Sequence, residues 1–124
     1  MWFKNAIGND KVKFMFDNEL ILSDMILVDF FIERQADLKL KFICSRLPAK
    51  IPKKWVVSNV RSFFLVVTFG DVFESEIIGR KYDFTCSPSI ISAKDRSEII
   101  INSGEFTLHC VSKFLTIESI TACL

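Results

Sequence analysis

Few side chains in this chain have the chemistry for catalysis. His109 is the only histidine, and it falls in an alternation that sets Phe106, Leu108 and Cys110 on one side and Thr107, His109 and Val111 on the other. A period of two puts His109 on the more polar face of a strand. Acid–base or nucleophilic work needs a serine, cysteine or carboxylate held beside the imidazole, and no residue of suitable spacing supplies one, so a surface or hydrogen-bonded role is expected. Glu74 and Glu76 stand two apart on an extended segment, which places two carboxylates on one face about 7 Å apart. Three roles fit them: the acid and base of glycoside hydrolysis, a solvated strand face balanced by Arg80 and Lys81, or an acidic contact for a basic protein. The catalytic role needs a cleft and unequal environments that split the two pKa values, and the surrounding sequence signals neither. Cys44, Cys86, Cys110 and Cys123 are widely spaced, with no C-x-x-C pair of the kind that zinc or redox chemistry uses. No nucleophile elbow, P-loop, G-x-G-x-x-G or H-E-x-x-H motif occurs. These residues assign no catalytic, metal or cofactor role, and a non-enzyme is expected.

The elements that would position such side chains are bounded first by the totals. The 124 residues suit a single β-rich domain spanning 1–124. Half of them are apolar and 13 are phenylalanine, so an aromatic-rich core is expected and disorder is not. Sixteen basic against fifteen acidic residues leave a formal charge of +1, too little for a phosphate-neutralising surface, so nucleic acid is disfavoured as a partner. The opening MWFKNAIGNDK has no apolar run of signal-peptide length, and no stretch has the apolar length of a membrane helix. A cytoplasmic protein with reduced, mostly buried thiols and no membrane partner follows as the expectation.

Within those bounds the stretch from Met25 to Arg46 carries the clearest pattern. Leu38, Leu40, Phe42 and Cys44 alternate with Lys39, Lys41 and Ser45, while Ile26, Val28, Phe30 and Ile32 form a wholly apolar side opposite one broken by Asp29 and Glu33. With the short polar Arg34-Gln35-Ala36-Asp37 between them, the two runs predict an antiparallel hairpin. Before it, Asn9 and Asp10 could cap a short helix facing inward with Val12, Met15 and Phe16, although Val12, Phe14 and Phe16 also fit a strand; the helix is preferred. After it, Pro48 and Pro52 mark a surface loop, from which Trp55 to Val57 lead back to the core. Phe63, Leu65, Val67 and Phe69 share one face of a strand whose other face carries Val60, Phe64 and Val66, as expected for mid-sheet. Gly70-Asp71 is a corner, and Val72–Ile78 continues extended. Short strands over Tyr82–Cys86, Ser89–Ser92 and Glu98–Ile101 are followed by two more, Glu105–Ser112 and Leu115–Ala122. The fold class is therefore mainly β (α+β with one short N-terminal helix), an antiparallel meander of about 7–9 strands forming a sandwich or rolled sheet. Thirteen phenylalanines also admit a small β-barrel-like carrier of an apolar ligand, and an exposed strand edge admits a homodimer.

The order of features adds to this reading. A tryptophan near the start, the hairpin, a proline loop closing in Pro52-Lys53-Lys54-Trp55, then Asn59-Val60, Gly70-Asp71 and Glu76-Ile77-Ile78-Gly79 together resemble the immunity protein 50 family of bacterial polymorphic-toxin systems. The resemblance spans nearly the whole chain. It implies a cytoplasmic β-rich protein that binds and neutralises a cognate protein toxin by contact, as in a toxin–antitoxin pair, with no catalytic residue to carry over. Such an inhibitor needs a rigid surface with a few buried anchors inside a polar rim. Asp29, Glu33, Asp71, Glu74 and Glu76, which interrupt otherwise apolar strands, are the expected toxin-binding residues. Many immunity proteins facing nucleases are acidic, whereas this chain is near neutral, so the toxin's chemistry stays open.

Overall fold

The computed structural model describes residues 1–17, 19–34, 36–79, 84–104 and 106–124. Alternating apolar and polar residues build seven strands: β1 (Met25–Glu33), β2 (Asp37–Cys44), β3 (Ser62–Ile78), β4 (Phe84–Cys86), β5 (Ser89–Ser92), β6 (Ser97–Asn102) and β7 (Thr107–Cys123). All pair antiparallel in one sheet of order β4-β1-β2-β3-β7-β6-β5. The chain traces two three-strand meanders, β1-β2-β3 and β5-β6-β7, which join where β3 pairs with β7. Only Ser87 and Pro88 separate β4 from β5, yet these strands are the two margins of the sheet. Three residue steps span at most about 11 Å, so the sheet has to curl until its margins approach one another. The product is a curled half-barrel.

The β3–β7 ribbon is the backbone of this arrangement. β2 pairs with β3 only from Phe63 to Phe69, and β6 pairs with β7 only from Thr107 to Ser112. The ribbon therefore has a proximal half that carries β2, β1 and β4, and a distal half, Val72–Ile78 with Thr107–Ser112, that carries β6 and β5. Between the halves, Gly70 lies beneath the ring of Phe114, its cross-strand partner; a Cβ at Gly70 would stand 2.2 Å from that ring. Register shifts between Val66 and Val67 and between Val72 and Glu74 add a residue to one strand, which bends the ribbon and sharpens its twist.

The concave side is filled by the residues whose alternation predicted it. Leu40, Phe42, Phe63, Leu65, Val67, Phe69, Leu108, Cys110 and Leu115 are wholly buried. Helix α1 (Asp10–Met15) buries Val12 in the core, and Phe16 just beyond it meets Phe63 at 5.2 Å between ring centroids. The preferred helix is thus the one that forms. Its capping differs from expectation: the Asn9 side chain makes no cap bond and its Nδ2 donates instead to the carbonyls of Phe3 and Lys4. The segment before α1 is tied to the sheet by a parallel bridge, in which Ile7 N–H donates to the Leu115 carbonyl and Ile117 N–H donates to that of Ile7, both at 2.8 Å.

Three local expectations are revised. The hairpin forms, but Val28 is an extra residue in β1 that shifts its pairing with β2, so Met25 and Leu27 face the core before it and Phe30 after it. The apolar side Ile26-Val28-Phe30-Ile32 is consequently not one face, and Ile32 is exposed. The proline loop holds a second helix, α2 (Lys53–Val57), which stacks Trp55 on Phe63 and leaves Val56 and Val57 in solvent. The final two strands are one, because β7 runs unbroken through Lys113 and Phe114 on its partner β3. Arg80 and Lys81, Tyr82 and Asp83 of the expected Tyr82–Cys86 strand, Gln35 of the hairpin turn and Glu105 lie outside the described residues.

Candidate functional site

The convex side of the distal half is a lattice that the strand registers define. One row runs Ile78, Thr107, Asn102; the next Glu76, His109, Ile100, Ser89; the third Glu74, Val111, Glu98, Ile91. Directly paired residues share a face, and so do residues two apart, so all of these side chains point outward together. Val111 is wholly buried in the third row, whereas Glu74, Glu76, Ile78, Ile91 and Ile100 are exposed.

His109 has a carboxylate partner after all. Its Nε2 lies 2.9 Å from Glu98 Oε2, which also approaches Arg96 at 3.7 Å. Arg96 in turn stands over the Phe73 ring, 5.9 Å from its centroid. Glu98 comes from β6 and His109 from β7, eleven residues apart, and only the β6–β7 register makes them diagonal neighbours. The pair sits on an open sheet face and lines none of the described cavities. An imidazole–carboxylate pair of this kind orients a ring and offers polar contacts. It has no serine or thiol within its hydrogen-bond set to activate. Glu74 and Glu76 likewise share one exposed face, and the cavity at the β3 margin is lined by Glu74 but not by Glu76, so the two carboxylates do not converge on one cleft.

The five expected binding residues do not form one patch. Asp29 and Glu33 lie on the convex side of the proximal half, where Asp29 pairs opposite Lys41 and Glu33 is 3.4 Å from Lys39. Those lysines rest on aromatic rings, Lys41 4.1 Å from the Phe64 centroid and Lys39 5.6 Å from that of Phe31. Asp71 marks the boundary between the halves: it holds a positive φ of 53°, and its N–H donates to Asp37 Oδ1 at 3.1 Å, next to the Val72 N–H bond to the Ala36 carbonyl. Glu74 and Glu76 alone belong to the distal lattice, and sequence reasoning left out Glu98, His109 and the three isoleucines around them. The alternation Glu98, Ile100 was a signal for a shared face; its place beside Glu74 and Glu76 was not.

Where β3 passes the tip of the β1–β2 hairpin, the distal half borders a cavity of about 230 Å³ lined by Ile32, Leu38, Val72, Phe73, Glu74 and Ile77, among others. A second, open groove follows the β5 margin beside Trp2, Leu20, Leu22 and Ile90. Among the described residues no group of three or more His, Cys, Asp or Glu converges to hold a metal, and no helix is long and apolar enough to cross a membrane.

A family model described as immunity protein 50 matches residues 8–123. The chain belongs to the immunity protein 50 family. No curated protein and no solved structure matches it at a significant level. In this immunity protein 50 member the matched span holds both helices and all seven strands, leaving outside it only the N-terminal turn and Leu124.

Proposed function

We propose that this immunity protein 50 member is a bacterial immunity protein of a polymorphic-toxin system, which binds a cognate protein toxin in the cytoplasm and neutralises it by surface contact, without catalysis. The observation that carries this reading is the family match over residues 8–123, which encompasses the whole sheet. A curled sheet with a filled interior suits such a role, because a rigid face loses little conformational freedom on binding. Affinity in the nanomolar range, about 12 kcal/mol, is appropriate where one escaped toxin molecule is harmful.

The thiols agree with a reducing compartment. Cys44, Cys86, Cys110 and Cys123 are all free, and Cys86 pairs with Met25 of β1 while Cys44 lies on β2, the strand beyond it. Two strand spacings, about 9.5 Å, exceed what a disulfide spans. The carrier reading has less support: Phe3, Phe42, Phe63, Phe69 and Phe106 are packed away within the core, and Phe106 meets Phe84 at 4.9 Å and Phe30 at 5.4 Å.

Co-expression tests the proposal. Induction of the toxin-bearing reading frame immediately upstream arrests growth, and this chain restores it; failure of rescue against every large neighbouring gene product overturns the reading.

A further inference from the structure

Resting on the toxin-binding reading, we infer that the toxin docks on the convex face of the distal half, around Glu74, Glu76, Glu98, Ile91 and Ile100, through a basic surface, and that the proximal face with Asp29 and Glu33 stays outside the contact. The two halves differ in how far their outward charges are already satisfied. In the proximal half the outward row alternates acid with base: Glu33 lies 3.4 Å from Lys39, and Asp29 stands opposite Lys41 in the strand register, with both lysines over phenylalanine rings. Among the described residues of the distal half three carboxylates point outward, and the two cationic or proton-binding groups that approach them, Arg96 and His109, both attach to Glu98. Glu74 and Glu76 have no cation within salt-bridge distance among the described residues. An arginine or lysine from a partner meets free acceptors there, whereas on the proximal face it would compete with lysines already in place.

Exposed apolar surface falls in the same place. Ile78 and Ile91 are each 57 % exposed and Ile100 42 %, and all three share the lattice with the carboxylates. Solvated β-branched residues flanking acidic ones on a stiff sheet make an interface whose apolar part excludes water around the charged pairs. Four strands and three rows give the lattice a span of about 14 Å each way, suited to the centre of a standard interface of roughly 800 Å² per partner. The face is preformed, because β7 at its middle is hydrogen-bonded on one side to β3 and on the other to β6.

The test measures binding of the full chain to an inactivated form of the toxin encoded by the upstream reading frame, at low and at moderate salt. Glu74→Gln with Glu76→Gln is expected to weaken binding about 10- to 100-fold, mainly through slower association, and to flatten the salt dependence. Ile91→Ala with Ile100→Ala is expected to raise the dissociation rate about tenfold or more. Asp29→Asn with Glu33→Gln should leave affinity within about threefold, in line with rim or non-contact positions. The inference is overturned if the proximal pair costs as much as the distal pair, or if the distal pair leaves binding within that margin. Melting curves by circular dichroism check that each variant is folded, and Glu76→Gln alone serves if the double variant is not. Absence of binding by the unaltered chain sinks the toxin-binding reading itself, whereas binding that depends on the proximal face sinks only this inference.

Discussion

Gly8 shows how much a single backbone position can carry. It holds φ at +81°, a region open to glycine but strained for other residues, and it does so because Ile7 is bridged to β7 on one side of it and α1 starts shortly after it. A Cβ at Gly8 would stand 2.6 Å from the Ile117 carbonyl oxygen, a backbone atom that cannot swing aside. Gly8→Ala is therefore expected to lower stability by about 1–3 kcal/mol, read as a lower midpoint in chemical denaturation. An unchanged midpoint would mean that the N-terminal segment is not held as described. The composition around Gly8 marked a helix start, but nothing local disclosed that a strand more than a hundred residues later comes against it. His109 was illegible in the same way. Its face was plain from the alternation, and its partner Glu98 was hidden because the contact runs diagonally across a strand register.

Among the elements, the β3–β7 ribbon decides the shape. Its bend depends on Gly70 lying flat beneath Phe114, since a side chain at that position would meet the ring. Gly70→Ala is expected to cost about 1–3 kcal/mol as an overpacked contact, with a smaller cost in a Phe114→Ala background. Equal costs in both backgrounds would place the role of Gly70 elsewhere. Strand spacing made the hairpin within Met25–Arg46 and the buried row Phe63, Leu65, Val67 and Phe69 readable in advance, because a period of two is local information. The bulge at Val28 was not, because an added residue is defined only against the partner strand it fails to pair with. Helix α2 escaped notice for a different reason: five residues are too few for a helical period to emerge, and the stacking of Trp55 on Phe63 holds it in place.

For the whole molecule, burial of thiols makes stability depend on alkali. Burial pushes Cys44 up to about 12, with Cys86 adding to the rise, and burial pushes Cys86 and Cys110 up to about 11. The unfolded chain ionises these thiols near 9, so it sheds protons in a range where the folded chain keeps them. The stabilisation is then fully present below pH 9 and is lost as pH rises towards 11–12. Denaturation midpoints should be level across neutral pH and fall steadily above pH 9, less steeply in a Cys110→Ala variant. A profile that is flat through this range would contradict the burial of the thiols. The sequence by itself determined that the chain is a β-sheet protein with an aromatic interior, since alternation and composition are properties of neighbours along the backbone. Only the tertiary structure decided that β3 pairs with β7 and that β4 and β5 close the two margins, and with them which carboxylates stand together. Pairing between distant strands is selected by how the whole apolar surface can be buried at once, and no local window holds that sum.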